Sequence, residues 1–319
     1  MLLYGDLSQS EYRSSQEAGS TYDSLLLRGV LRLQQRLGLN QDGVIGNGTL
    51  AGLNEPPAQQ MQKLAVNMER LRWLPDTLKE ETVIVVNIAN FRMDLIQNRD
   101  TLFSTEAIVG KNYRKTPVFN AEMSYLVFSP TWTVPPTILA NDVLPAVKKD
   151  MNYLKSKQMR VLTFDGKEVD PTKINWQSLS ARGFPYMIRQ DPGPQNSLGA
   201  VKFMFPNRYN VYIHDTPSRE QFGRDNRALS SGCIRIREPE RLAVLLLEDQ
   251  GWTPERIAAA MKRKTEENVR LKRPIPVVLL YLTAWTDEGG RLQWREDIYT
   301  RDAELAAALR SKRSSSTAS

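Results

Sequence analysis

A chain of 319 residues with 41% apolar and 25% charged residues has the bulk for about two globular domains. It contains no apolar run of eighteen residues that would cross a membrane as a helix, and a single cysteine and a single histidine exclude an intrachain disulfide and any zinc-finger ligand set. The net charge of +7 suits an anionic partner, but there is no Walker-type phosphate loop and no aromatic-and-basic stripe for stacking bases, which argues against nucleic acid.

The N-terminus, "MLLYGDLSQSEYRSSQ", lacks the basic-then-apolar order of an export signal, so the chain is either cytoplasmic or begins after such a signal has been removed. Residues 1–21 are polar and rich in Ser and Glu and predict a flexible leader. Over 22–57 the pattern becomes helical. Leu26, Val30, Leu33 and Leu37 recur at helical spacing up to Gly38, a turn-rich "NQDGVIGNGT" follows, and Thr49 is placed to cap a second short helix with Leu50 and Leu53. This unit is too small to bury much core alone. After Pro56-Pro57 the spacing predicts a helix over 59–75, with Met61, Leu64, Met68 and Leu71 on one apolar stripe.

Strand patterns then dominate: 82–88, 91–98, 101–110 and 122–129, with a hairpin turn at Asn98-Arg99-Asp100. "TWTVPPTILANDVLPAVKKD" leaves the sheet through Pro135-Pro136 and ends as a helix. Residues 151–183 mix short signals and loops and interrupt the strand series, which resumes at "PYMIRQ" (185–190); an insertion of this kind beside a site commonly acts as a lid. "VKFMF" (201–205), "NVYIH" (210–214) and "CIRI" (233–236) are further strands. Pro239 and Pro254 open helices, the second capped by Thr253. "KRKTEENVRLKR" (262–273) is expected to be a solvated helix face, 275–285 and 291–296 form a hairpin across Gly289-Gly290, and residues 301–319 form a terminal helix and a disordered tail. Helices and strands are segregated, so the fold class is a mostly β catalytic domain with peripheral helices and a lid insertion, beside a small α-helical domain.

Strand parity singles out one face. In "NVYIH", Tyr212 and His214 share a side; in "CIRIR", Cys233, Arg235 and Arg237 do. If the two strands are neighbours, Cys233 and His214 meet in one cleft, where the imidazole can ionise the thiol for attack on a carbonyl. Gly232 permits close backbone approach, and the amides of Gly232 and Cys233 are candidate oxyanion donors. Asp215, through its carbonyl or its carboxylate, is the nearest group able to orient the imidazole. A lone cysteine is also commonly a small buried hydrophobe and a lone histidine a satisfied polar residue. The Ser230-Ser231-Gly232 run before Cys233 and the arginines after it favour the catalytic alternative. Nothing in the chain calls for a metal or another cofactor.

"YIHDTP…ALSSGCIRI" resembles the signature of L,D-transpeptidases with a YkuD-type catalytic domain, in which a histidine is followed after a loop by Ser/Thr-x-Gly-Cys, a hydrophobic residue and Arg or Asn. Here these elements are His214, Ser230, Gly232, Cys233, Ile234 and Arg235. Ser231 stands where many members carry a second histidine, which leaves His214 as the only imidazole. "AIVGKNYRKTP", "FSPTWTVPP" and "NSLGAVKFMFPNRYNVYIHDTP" extend the resemblance over roughly 80–290. "LQQRLGL…DGVIG…T" resembles a small helical peptidoglycan-binding domain, for which a docking role without glycan contact is the alternative. Residues 151–183 resemble the capping subdomain of the large members.

The resemblance implies a YkuD-like β-sandwich for the catalytic domain over 58–300. It implies a two-step acyl transfer, in which Cys233 attacks the amide between diaminopimelate and the terminal D-Ala of a tetrapeptide stem, and a second stem's amine resolves the thioester into a 3→3 cross-link. Carbapenems would acylate the same thiol. Arg235 would recognise a stem carboxylate or fix the catalytic loop, Tyr212 would line the cleft, Ser230 and Ser231 would contact substrate, and Trp132 would line the donor groove unless it packs in a core. Partners would be peptidoglycan stem peptides and cell-wall synthesis proteins, and the protein a periplasmic monomer whose export signal and N-terminal scaffold region lie outside this sequence. An L,D-carboxypeptidase, another cysteine amidase or peptidase, and a non-catalytic wall-binding protein are the rivals.

Overall fold

The computed structural model describes residues 1, 4–17 and 21–316, without the side chains of residues 16, 17 and 312–316. Four helices come first: α1 (Gln9–Glu17), α2 (Ser24–Leu37), α3 (Asn47–Asn54) and α4 (Pro57–Arg72). The hairpin strands β1 (Thr82–Asn87), β2 (Arg92–Gln97) and β3 (Asp100–Gly110) and the strand β4 (Phe119–Phe128) follow. Next come β5 (Trp132–Thr133), a continuous helical run over 136–149, and the short helix 152–156. The strands β6 (Met159–Leu162), β7 (Glu168–Val169), β8 (Met187–Gln190), β9 (Val201–Met204), β10 (Ile213–His214), β11 (Ala228–Ser230) and β12 (Ile234–Ile236) complete the central part. The C-terminal part holds α5 (Pro239–Leu247), α6 (Pro254–Ala260), β13 (Glu267–Leu280), β14 (Ala284–Thr286), β15 (Leu292–Trp294) and α7 (Arg301–Ser316).

The main sheet runs β11-β3-β12-β10-β9-β4-β13-β1-β2, and β2 pairs back with β3. The sheet therefore closes on itself, rather than forming two separate layers as the sandwich expectation implied, and closure removes edges that could pair with another chain. The long strand β3 makes closure possible: its first half pairs with β2 (Arg92↔Glu106) and its second with β12 (Arg235↔Ile108). Asn98 and Arg99 both have positive φ, 52° and 73°, the two-residue hairpin turn that matches strand twist. Inside lies one core of alternating residues, including Ile84, Met93, Met123, Phe128, Phe203, Ile213, Ile234 and Ile236, sealed by α5 and α6.

The insertion is larger than residues 151–183. β8, expected as a main-sheet strand, joins the small sheet β5-β8-β6-β7, and a separate core of Trp132, Val143, Leu154, Trp176, Phe184 and Ile188 spans 132–198. The subdomain thus starts at β5, just before Pro135 and Pro136. Residues 267–273 are likewise strand, not helix. Val269 and Leu271 alternate with exposed Asn268, Arg270 and Lys272 in the first half of β13, which pairs with β4, a period of two that the charges obscure.

The N-terminal part also departs from expectation. Residues 9–17 are helical, and Asp6 is buried in a bidentate ion pair with Arg36 of α2, Nη2 to Oδ2 at 2.8 Å. Residues 2, 3 and 18–20 of the expected leader and 317–319 of the expected tail lie outside the described residues; 301–316 are helical. α2 ends at Gly38, but α3 is capped by Gly46, and Thr49 lies inside it, buried. On α4 the stripe is inverted: Met61, Met68 and Leu71 are exposed, while Asn67 and Arg70 are buried. Asn67 bonds Thr283 (Nδ2 to Oγ1, 2.8 Å) and Arg70 pairs with Asp302 at 2.5 Å, so a satisfied polar seam docks this helix on β14 and α7.

Candidate active site

Parallel pairing of β10 with β12, in register Ile213↔Ile234 and His214↔Arg235, brings the two singular residues onto one face. Their isoleucines point into the core. Cys233 lies one step before the paired segment, beside Tyr212, and Ile234 N–H donates to the Tyr212 carbonyl at 3.1 Å. The backbone of His214 is therefore displaced along the strands by two residues, about 6.6 Å, from that of Cys233. Among the described residues no direct hydrogen bond joins them.

His214 is fully packed, and its Nδ1 lies 2.5 Å from the Asp215 carbonyl. The orienting group is thus the backbone of Asp215. Its carboxylate holds other contacts: Oδ2 accepts from Ala200 N at 2.8 Å, and Oδ1 lies 3.2 Å from Arg219 Nη2 in an ion pair without hydrogen-bond geometry. Gly199 is required here, because at φ +63° a Cβ would sit 2.3 Å from Asp215 Oδ2. Burial pushes the His214 pKa down to about 3, helped by the positive charges of Arg235 and Lys202, against the carbonyls of Asp215 and Leu198. The imidazole is neutral at pH 7.

Cys233 is half-buried, and its Sγ faces the Asn210 carbonyl at 3.8 Å. Burial raises the thiol pKa; the Tyr212 backbone N–H and phenol, both bonded to sulfur, and Arg235 oppose it. Both shifts favour a neutral thiol and a neutral imidazole in the resting site. Tyr212 takes the place beside sulfur that parity allowed: its ring centroid is 5.6 Å from that of His214, and its own ionisation is strongly disfavoured by burial and by Cys233.

The turn before Cys233 is built by Ser230. Its buried hydroxyl donates to the Cys233 carbonyl at 2.6 Å and accepts from Gly232 N at 3.0 Å. Ser230 is thus engaged inside the turn, and the Gly232 amide, expected as an oxyanion donor, already has an acceptor; the Cys233 amide remains the candidate. Gly232 has φ +119°, and its carbonyl accepts from Thr116 Oγ1 at 2.8 Å. Ser231 Oγ accepts from Arg114 Nη1 at 2.8 Å, and the same nitrogen pairs with Asp142 of the 136–149 run at 2.6 Å. Trp132 packs in the core of the inserted subdomain.

Arg235 is the unusual cation. Its Nη1 donates to Gln221 Oε1 at 3.1 Å, its Nε is buried without a partner, and burial lowers its pKa. Among the described residues no carboxylate pairs with it. Lys202, register partner of His214 on β9, adds a second cation whose pKa burial also lowers. Arg114 and Lys202 were not singled out from the sequence. Arg114 lies in "GKNYRKTP", a block that carried the resemblance without a role for each residue. Parity marks Lys202 only once β9 is known to pair with β10. Among the described residues no group of three or more His, Cys, Asp or Glu could hold a metal.

Residues 81–265 match the family model of the YkuD L,D-transpeptidase catalytic domain. A curated Haemophilus influenzae protein with an L,D-transpeptidase designation is 38% identical over 247 residues, covering 77% of this chain and 49% of that protein. The chain thus spans about half the length of that relative. Solved structures with similarity include L,D-transpeptidase 3 from Mycobacterium tuberculosis with a faropenem-derived adduct, 12% identical, covering 63% of this chain and 60% of that one, at a TM-score of 0.31. The catalytic domain of an E. faecium L,D-transpeptidase is 16% identical, covering 63% and 98%, at a TM-score of 0.30.

Proposed function

The chain belongs to the YkuD L,D-transpeptidase family, and on that premise we propose that it cross-links peptidoglycan stem peptides 3→3 through a thioester on Cys233. The observation that carries this reading is the single cysteine at a glycine turn, on the same strand face as the single histidine, whose Nδ1 is held by the Asp215 carbonyl. In the first step the thiol proton passes to His214 and sulfur attacks the amide carbonyl between diaminopimelate and the terminal D-Ala. The tetrahedral oxyanion takes the Cys233 amide as donor. The C–N bond then breaks, the D-Ala nitrogen takes the proton from the imidazolium, and a thioester remains. In the second step an amine of another stem's diaminopimelate attacks the thioester, its proton passes through His214 to the departing sulfur, and the cross-link is released.

The depressed His214 pKa supports a neutral base at pH 7, and the neutral thiol supports general-base activation rather than a standing ion pair. The unpaired Arg235, with its partnerless Nε, is suited to a stem carboxylate. Carbapenems acylate the same sulfur, and the site of action is the periplasm. The 22–57 unit serves as a peptidoglycan-binding element; its Gln34 binds Asp42, the Val44 carbonyl and Gly43 N, which holds the "DGVIG" loop in one shape.

Intact-mass measurement after carbapenem exposure tests the reading. Wild type gains one adduct, Cys233→Ala none, and His214→Ala a slow one. No adduct on wild type, or an adduct on Cys233→Ala, refutes it. Purified muropeptides then separate dimer formation from hydrolysis.

A further inference from the structure

A groove of about 460 Å³ between the α2–α3 loop and the closed sheet holds charges for which the acyl transfer has no use. Arg92, Arg227 and Arg295 line it, opposite Asn40 and Gln41 of the loop. Among the described residues none of the three guanidinium groups forms an ion pair. Arg92 donates to the Ser104 hydroxyl, with Asp94 beyond it. Arg227 donates to the carbonyls of Ala107, Arg224 and Phe91. Arg295 donates to Asn90 Oδ1 and to the carbonyls of Arg36 and Trp294. The groove's own acids are occupied, Glu106 by Arg237 at 3.0 Å and Asp287 by Arg291 at 3.2 Å. Glu106 and, less strongly, Asp225 temper Arg227, and the Asp225 carboxylate accepts from Asn40 N at 2.7 Å.

The three cations feel one another. Burial, with repulsion from Arg92 and Arg227, lowers Arg295 to about 10. Crowded guanidinium groups bonded only to neutral acceptors are costly in the empty protein and favourable once a carboxylate, which guanidinium binds bidentately, lies among them. We propose that this groove is an anion site that binds ligand carboxylates between the helical unit and the sheet, with Arg92, Arg227 and Arg295 as its cations and the Gln41 amide beside them. The peptidoglycan reading enters only in naming the carrier of the carboxylate, a sugar acid or an acidic stem peptide.

Calorimetric titration of the full chain in a Cys233→Ser background tests this. The probes are N-acetylmuramic acid, the dipeptide L-Ala-D-Glu, and N-acetylglucosamine as the uncharged sugar. At least one acid should bind, and bind more weakly as salt rises, while the neutral sugar should not; whichever acid binds more tightly identifies the source. Arg295→Gln should weaken binding about tenfold. Arg92→Gln, which leaves the Arg36 and Asn90 contacts intact, should weaken it about fivefold. Binding of neither acid, or equal binding by wild type and both variants, or loss only on Arg235→Gln, overturns the site. Carbapenem adduct formation by Arg92→Gln on the Cys233 protein stays at the wild-type rate, so failure of this site and failure of the acyl-transfer reading are distinguishable.

Discussion

Replacing Arg114 by Ala should uncouple the inserted subdomain from the turn that carries Cys233. One nitrogen, Nη1, reaches Asp142 at 2.6 Å and Ser231 Oγ at 2.8 Å, two residues before Cys233. The ion pair is partly exposed, with 43% of the Asp142 side chain open to solvent, so it contributes about 0.5 kcal/mol. The hydrogen bond from a charged donor to an exposed hydroxyl contributes about 1 kcal/mol. Together about 1.5 kcal/mol of coupling is lost, a little over tenfold in the population of the ordered arrangement. The assay is the rate of carbapenem adduct formation under single-turnover conditions, with denaturant unfolding as a control on global stability. Arg114→Ala should acylate about tenfold more slowly while global stability falls by no more than about 1.5 kcal/mol, Ser231→Ala should reproduce most of that loss, and Asp142→Asn about a third of it. An unchanged rate for Arg114→Ala would sink the argument, as would an equal drop for a distant exposed variant such as Lys79→Ala.

Three other substitutions probe the site's charges and geometry. His214 has a folded pKa of about 3 against an unfolded value near 6.5, so the unfolded state takes up the proton first and stability falls as pH drops from about 6.5 towards 3. Between pH 7 and 5, wild type should lose about 2 kcal/mol more than His214→Gln in urea unfolding, and parallel losses would contradict the burial argument. Gly199→Ala forces a Cβ to 2.3 Å from the Asp215 carboxylate at φ +63°; it should cost at least about 2 kcal/mol and slow acylation by moving the carbonyl that orients His214. Arg235→Gln removes the nearest positive charge from His214 and should raise its titration midpoint in an NMR pH series, a shift that a merely structural arginine would not produce.

The placement of the candidate site residues was more legible in the sequence than the architecture around them. Parity in "NVYIH" and "CIRIR" needs only the period of a strand, and the parallel register of β10 and β12 puts Tyr212, His214, Cys233 and Arg235 on one side. Register itself was not legible. Lys202 could not be associated with His214, nor Tyr212 with the thiol, until β9, β10 and β12 were aligned. The stripe on α4 misled because hydrophobicity identifies a buried face only when the partner surface is apolar; here Thr283 and Asp302 bury Asn67 and Arg70 instead. The 262–273 segment misled because dense charge on the exposed side of β13 masks alternation. The insertion boundary was missed because "PYMIRQ" has strand propensity, and propensity does not say which sheet a strand joins.

The electrostatics bear directly on how a neutral half-buried thiol and a neutral buried imidazole could work as nucleophile and base. His214 is a weak base because it is buried, with the charges of Arg235 and Lys202 adding to the effect, and Cys233 is a weak acid because its surroundings are dense. Neither obstacle is permanent. In the proposed reaction a stem carboxylate takes the open donors of Arg235. A negative charge about 7 Å from the imidazole, at an effective dielectric near 20, favours its protonated form by about 2.4 kcal/mol, close to two pKa units. The same carboxylate disfavours a free thiolate, so proton transfer and carbon–sulfur bond formation must proceed together, with negative charge passing to the carbonyl oxygen instead of resting on sulfur. A thiol that is inert alone and a base strengthened by the substrate's own charge limit side reactions of the only cysteine. They also account for a buried arginine left without an internal counter-ion beside the only histidine.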